Sequence, residues 1–111
     1  MSNRDAARSY YTALDDHRYE TFDALLTEDF VHKRPDRTLA GRSAFVDFMR
    51  DERPLHTTEH DVRDFYENDD GDELVVRGIL HDEDGEQLFA FMDRHVFAGD
   101  RIERLETFSL R

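Results

Sequence analysis

Between Phe89 and Phe97 the chain alternates without a break. Phe89, Phe91, Asp93, His95 and Phe97 fall on one side of an extended strand, and Ala90, Met92, Arg94 and Val96 fall on the other. Apolar residues on both sides mean that the sheet built around this strand is covered on both faces. Three further β-rich stretches flank it, so that the second half reads as strands over about 57–67, 73–82, 86–98 and 101–110. The separators are Asn68-Asp69-Asp70-Gly71, Asp82-Glu83-Asp84-Gly85 and Ala98-Gly99-Asp100, where glycine supplies the positive φ that tight hairpins need. Connections this short predict an antiparallel meander.

The first half has a different period. Ala6, Tyr10, Ala13 and Leu14 recur at three and four, predicting a helix from about Asp5 to Asp15. A second, short helix is predicted from Tyr19 to Leu26 with Phe22, Leu25 and Leu26 inward, followed by a brief strand over Asp29–Arg34 that Pro35 stops. After a loop through Gly41, the positions Phe45, Phe48 and Met49 mark a third helix that ends before Pro54. Three helices followed by a meander define an α+β plan with the helices on one sheet face. At 111 residues the expectation is one domain, 1–111.

Composition removes several classes of function. With no Cys there are no disulfides, thiolate zinc sites or thiol nucleophiles. No apolar run is long enough to span a membrane, and Met-Ser-Asn-Arg-Asp leads into no apolar segment, so the expected location is cytoplasmic. Asp and Glu number 27 against 15 Lys and Arg, a net charge of −12 that repels nucleic acid and anionic lipid. Lys33 is the sole lysine. The acids gather at the turns and on helix surfaces. They read either as a recruiting surface or as a solubility surface suited to concentrated salt, where Debye screening shrinks to about 3 Å at 1 M. Such acid-rich, lysine-poor composition resembles proteins of halophilic archaea and implies an origin of that kind.

The segments Tyr10-Tyr11-Thr12-Ala13-Leu14, Leu25-Leu26-Thr27-Glu28-Asp29-Phe30-Val31, the strand ending in Pro35, Gly41-Arg42, Asp93-Arg94-His95-Val96-Phe97 and Asp100-Arg101-Ile102 together resemble the nuclear transport factor 2-like superfamily. Within it the chain is similar to the SnoaL-like polyketide cyclases and ketosteroid isomerases. The resemblance covers nearly the whole chain. It implies a cone: three helices in the concavity of a curved, mostly antiparallel sheet, an apolar pocket open at one end, and a homodimer through the outer sheet face. It implies a hydrogen-bond-donating tyrosine at Tyr10 and an acid at Asp93. The isomerase base, an Asp before the proline of the short strand, is replaced by Arg34, which takes no proton at ordinary pH. Thr107 stands where several epoxide-hydrolase-like relatives carry an Asp. No cofactor is implied.

The catalytic candidates are therefore Asp93, Tyr10, His32 and Arg34. A guanidinium paired with Asp93 would hold it ionised, as base or acceptor, whereas apolar burial alone would leave it protonated, as acid or oxyanion donor. An ion pair without catalysis is the third alternative. His32 shares the face of Arg34, and an imidazole beside a carboxylate serves as a proton shuttle near neutral pH. Phe45, Phe48, Met49, Phe89 and Phe91, with His60 and His95, are the candidate walls for a small hydrophobic carbonyl or hydroxylated ligand. Arg77 faces either the pocket or the dimer seam. His32, His60 and His95 lack the His-x3-His spacing of a metal site, and His17, His56 and His81, at element ends, read as solvated. The expected activity is that of a cofactor-free isomerase, cyclase or hydrolase. The alternative is a non-catalytic ligand-binding or dimerisation module.

Overall fold

The computed structural model describes residues 2–55 and 57–110; His56 lies outside the described residues. Helix α1 spans Asn3–Asp15, and Ser2 caps it by accepting the Asp5 amide at 3.1 Å, leaving an acidic side chain in the first turn where the helix dipole favours it. A 3-10 turn, Tyr19–Thr21, leads into α2, Phe22–Leu25. Strand β1 covers Leu26–Lys33, β2 Thr38–Ala40 and α3 Arg42–Asp47, after which the chain widens into a π-helical turn, Phe48–Glu52. The meander follows as β3 (Glu59–Glu67), β4 (Glu73–His81), β5 (Gln87–Ala98) and β6 (Arg101–Leu110).

The six strands form one curved, unclosed sheet in the order β2-β1-β6-β5-β4-β3. Strands β3 to β6 pair antiparallel, as the hairpin chemistry predicts, with Gly71 at φ 74° and Gly85 at φ 83° in two of the turns. The one parallel pairing is β1 on β6. Two expectations change. The first strand begins at Leu26 rather than Asp29, because α2 ends after a single turn, and the stretch read as a loop before Gly41 contains β2, paired with Val31–Lys33.

One face of the sheet packs on the helices. From α1 it receives Ala6, Ala7, Tyr10, Tyr11, Ala13 and Leu14, and from the other helices Phe22, Leu25, Phe45 and Phe48, all buried. Along β4 and β5 the inward row pairs Leu74 with His95, Val76 with Asp93, Gly78 with Phe91 and Leu80 with Phe89. The outward row holds Arg77 opposite Met92 and Val75 opposite Arg94. Arg77 thus lies on the outer face, 2.6 Å from Asp64, and Arg94 ties Glu73 to Glu106 across three strands. No helix among the described residues is long and apolar enough to cross a membrane.

Candidate functional site

Between the helices and the concave face lies a cavity of about 370 Å³. Tyr10 and Leu14 of α1 wall one side, and Phe89, Phe91 and Asp93 of β5, with Thr107 of β6, wall another. His32, Arg34, Met49, Arg53 and His60 complete the part that concerns its chemistry. The period-two pattern of β5 is what places a carboxylate between aromatic rings here.

Asp93 is 5 % exposed, and both of its carboxylate oxygens are engaged. Thr107 Oγ1 donates to Oδ1 at 2.6 Å, and the Tyr11 hydroxyl donates to Oδ2 at 2.7 Å. Each donor has a histidine behind it: His32 Nε2 is 2.8 Å from Thr107 Oγ1, and His95 Nε2 is 2.9 Å from the Tyr11 hydroxyl. A hydroxyl has one proton to give. With both hydroxyls donating to Asp93, each Nε2 must be the protonated nitrogen and donate in turn. The buried Nδ1 atoms of His32 and His95 then hold bare lone pairs, and neither has a partner. Turning either arm round would place an N–H in that unpartnered position, the costlier arrangement. All four donors in this network therefore point toward the carboxylate.

Burial pushes the Asp93 carboxyl above its usual value, while the bonds from Thr107 and Tyr11 and the charges of His60 and Arg34 pull it back down. Burial also holds both histidines neutral: His32 falls from 6.5 to about 3, with the Arg34 charge adding to the effect, and His95 falls to about 3. At that value His32 is a neutral imidazole at neutral pH, 2.8 Å from Thr107 Oγ1. Tyr10 and Tyr11 are both raised well above 10, first by burial and then by Asp93, so they act only as neutral hydroxyls.

The cavity brings together Asp93, Tyr10, His32, Arg34, Met49, His60, Phe89 and Phe91 of the expected residues. It leaves out three. Phe45 packs edge-on against Phe22 and Phe30 in the core, Phe48 lies beneath the guanidinium groups of Arg34 and Arg37, and His95 is fully buried behind Tyr11. Arg34 is not an ion-pair partner of Asp93. Its Nε lies 3.4 Å from Asp36, a short-range partner two residues along the same loop. His60 is held by Asp15, whose carboxylate takes both its Nδ1, at 2.6 Å, and its backbone amide, at 2.9 Å.

Three residues of the site were missed: Tyr11, Thr107 and Arg53. Thr107 had no direct signal: a tight hairpin at Gly99 alone would set Glu106 opposite Asp93, and a bulge between Val96 and Phe97 shifts the register by one and brings Thr107 there. Tyr11 had none beyond its neighbour. The helix buries both tyrosines, and only the packing decides which hydroxyl turns to the carboxylate.

An α+β cone with a cavity between its helices and its concave sheet defines the nuclear transport factor 2-like class. Within that class the chain belongs to the SnoaL-like domain family, whose sequence profile matches residues 7–105. Among solved structures it is similar to a protein from Kribbella flavida provisionally named a ketosteroid isomerase, at 24 % identity and a TM-score of 0.83 over 97 % of this chain and 77 % of that one. A nuclear transport factor 2-like protein of unknown function from Cytophaga hutchinsonii matches at 15 % identity and a TM-score of 0.82, covering 99 % and 91 %. A protein from Sinorhizobium meliloti provisionally named a polyketide cyclase matches at 16 % identity and a TM-score of 0.80, covering 94 % of each chain. These likenesses establish the fold. No curated protein matches the sequence.

Proposed function

We propose that the protein is a cofactor-free acid/base enzyme of the isomerase or cyclase kind, acting on a small hydrophobic carbonyl or hydroxylated compound, with Asp93 as the proton-transferring group. The observation that carries this reading is the placement of Asp93. A carboxylate at a cavity wall, raised by burial yet held in one orientation by two hydroxyl donors, has both the basicity and the fixed geometry that proton transfer requires. Asp93 takes a proton from the carbon beside the substrate carbonyl. The Tyr10 hydroxyl, which has no protein hydrogen-bond partner among the described residues, donates to the developing oxyanion, and Asp93 returns the proton to a second carbon. Arg34 supplies positive charge at the wall, and neutral His32 holds Thr107 in place.

The test is hydrogen–deuterium exchange of simple ketones in D2O, followed by NMR, for the parent protein and Asp93→Asn. Catalysed exchange that Asp93→Asn abolishes supports the reading. Equal exchange in both removes Asp93 from the chemistry.

The same reading places the protein in solution as a homodimer through the outer sheet face, in a cytoplasm rich in salt. The outer face supports the first with partly buried Val75, Ile79, Met92 and Val96 beside exposed Phe108 and Leu110. The net charge of −12 with one lysine supports the second.

A further inference from the structure

Arg53 follows the π-helical turn, is 8 % exposed and lines the cavity. A guanidinium carries five N–H donors. Among the described residues Nη2 alone is occupied, donating to the Leu14 carbonyl at 3.1 Å and to the Tyr19 hydroxyl at 3.2 Å. Nε is buried without a partner, and neither Nη1 nor any other atom of Arg53 meets a carboxylate among the described residues. Removing a cation from water without a counter-ion is strongly unfavourable. Scarcity of acids is not the reason in a chain with 27 of them, and Arg34 in the same wall has Asp36. The cavity lining also offers apolar surface from Leu14, Met49, Leu80, Phe89 and Phe91, beside the polar Asp93, His60 and Thr107.

We propose that the cavity takes a small organic acid, its carboxylate seated on the Arg53 guanidinium and its hydrocarbon body against Met49, Phe89 and Phe91. The proposal rests on the cavity being a ligand site and adds the class of ligand. A carboxylate supplies the missing counter-charge and accepts from Nη1, whose hydrogens no described residue takes. A neutral hydrocarbon or ketone fills the same volume and leaves the charge unpaired. At about 370 Å³ the space suits one or two rings rather than a large polycycle.

Isothermal titration with matched acid and amide probes tests this: phenylacetate with phenylacetamide, cyclohexanecarboxylate with its amide, and 2-naphthoate with 2-naphthamide, all at one salt concentration. The parent is expected to bind the acid of at least one pair about tenfold or more tightly than the amide. Arg53→Gln is expected to bring the acid down to the affinity of its amide while amide binding holds within about twofold, and Arg53→Lys to retain part of the preference. If Arg53→Gln does not fold, the parent and Arg53→Lys carry the comparison. Amides that bind as well as acids overturn the proposal and leave the cavity as a ligand site. No binding in any pair overturns both.

Discussion

Tyr11 reaches across 82 residues of sequence to place its hydroxyl 2.7 Å from Asp93 Oδ2, while the adjacent Tyr10 lines the cavity beside the same carboxylate without bonding to it. The two tyrosine rings meet edge to face at 5.0 Å, so one turn of helix presents two hydroxyls with separate duties. One is spent inside the protein, and the other is free for a ligand.

Tyr11→Phe removes the donor to Asp93 and the acceptor for His95 in a buried network. The expected loss is about 1–3 kcal/mol of unfolding free energy. Tyr10→Phe removes a hydroxyl with no protein partner among the described residues, and should lose less than about 1 kcal/mol. Urea denaturation of both variants decides the matter. Equal losses would contradict the assignment of the bond to Tyr11.

Acid sensitivity follows from the two buried histidines. Both are held at about 3 in the folded protein against 6.5 when exposed. Below 6.5 the unfolded chain binds protons that the folded chain refuses, so the stability they contribute is complete above that pH and is lost as pH falls toward 3. The slope is up to about 1.4 kcal/mol per pH unit for each histidine. Asp93 opposes this by at most one proton, since its raised carboxyl binds a proton in the folded state before it does in the unfolded one. Two groups outweigh one. Thermal unfolding in high salt, which screens the surface charge, should show a falling midpoint from about pH 6.5 to 4. A flat profile over that window would show that neither imidazole is held neutral.

The sheet and the inward row of β5 were legible because alternation fixes which residues share a face, whereas the bulges that shift register in each pair of the meander carry no such sign. The alternation put Asp93, Phe89 and Phe91 on one face, and the family resemblance marked Asp93 as the acid. The helical half was less legible. A period of three and four identifies the buried side of α1 but does not separate Tyr10 from Tyr11, since the helix buries neighbouring residues in pairs. Phe45 and Phe48 share their apolar character with true cavity residues, and only the packing of α3 and of the π-helical turn after it assigns them to the core. A pair between Arg34 and Asp93 was one of the alternatives, yet the chain leaves β1 at Lys33 and Arg34 finds Asp36 first. Strand β2, with three residues, is too short for any period to announce it.

Gly78 is an inward residue whose missing side chain makes room for a cavity wall. A Cβ there would meet Phe91 Cζ at 2.5 Å and the Asp61 carbonyl at 2.8 Å. The ring can shift, but the backbone carbonyl of β3 cannot do so without disturbing the β3–β4 pairing. Gly78→Ala is expected to lose about 1–3 kcal/mol of stability and to weaken the binding of any ligand that packs on Phe91. Undiminished stability by urea denaturation would mean that β3 yields more easily than its paired backbone suggests.

Salt should act in the opposite sense to its effect on most surface ion pairs. The pairs such as Arg4–Glu67 and Arg63–Asp61 are exposed and contribute little, whereas repulsion among uncompensated acids acts over the whole surface. Raising KCl from about 0.1 M to 3 M is expected to raise the thermal midpoint by shortening the screening length. A midpoint that rises as salt is removed would argue against an adaptation to salt.

The outer sheet face gives the last prediction. Met92 and Phe108 are cross-strand neighbours there, and Phe108 is 51 % exposed with Leu110 at 46 %. Arg94 is neutralised by Glu73 and Glu106 within the same face, so its charge does not prevent an apolar seam from forming around it. A two-fold interface sets each residue near its own copy or its reciprocal contact, so one added carboxylate enters the seam twice. Sedimentation equilibrium is expected to find the parent as a dimer of the 13.2 kDa chain and Phe108→Asp as a monomer with an unchanged circular dichroism spectrum. In the monomer the cavity stays intact, because its walls come from the concave side, and acid-probe binding should survive the loss of the partner. A parent that is monomeric at about 100 μM, a concentration at which standard-sized interfaces of micromolar affinity are filled, would leave this face without the role assigned to it.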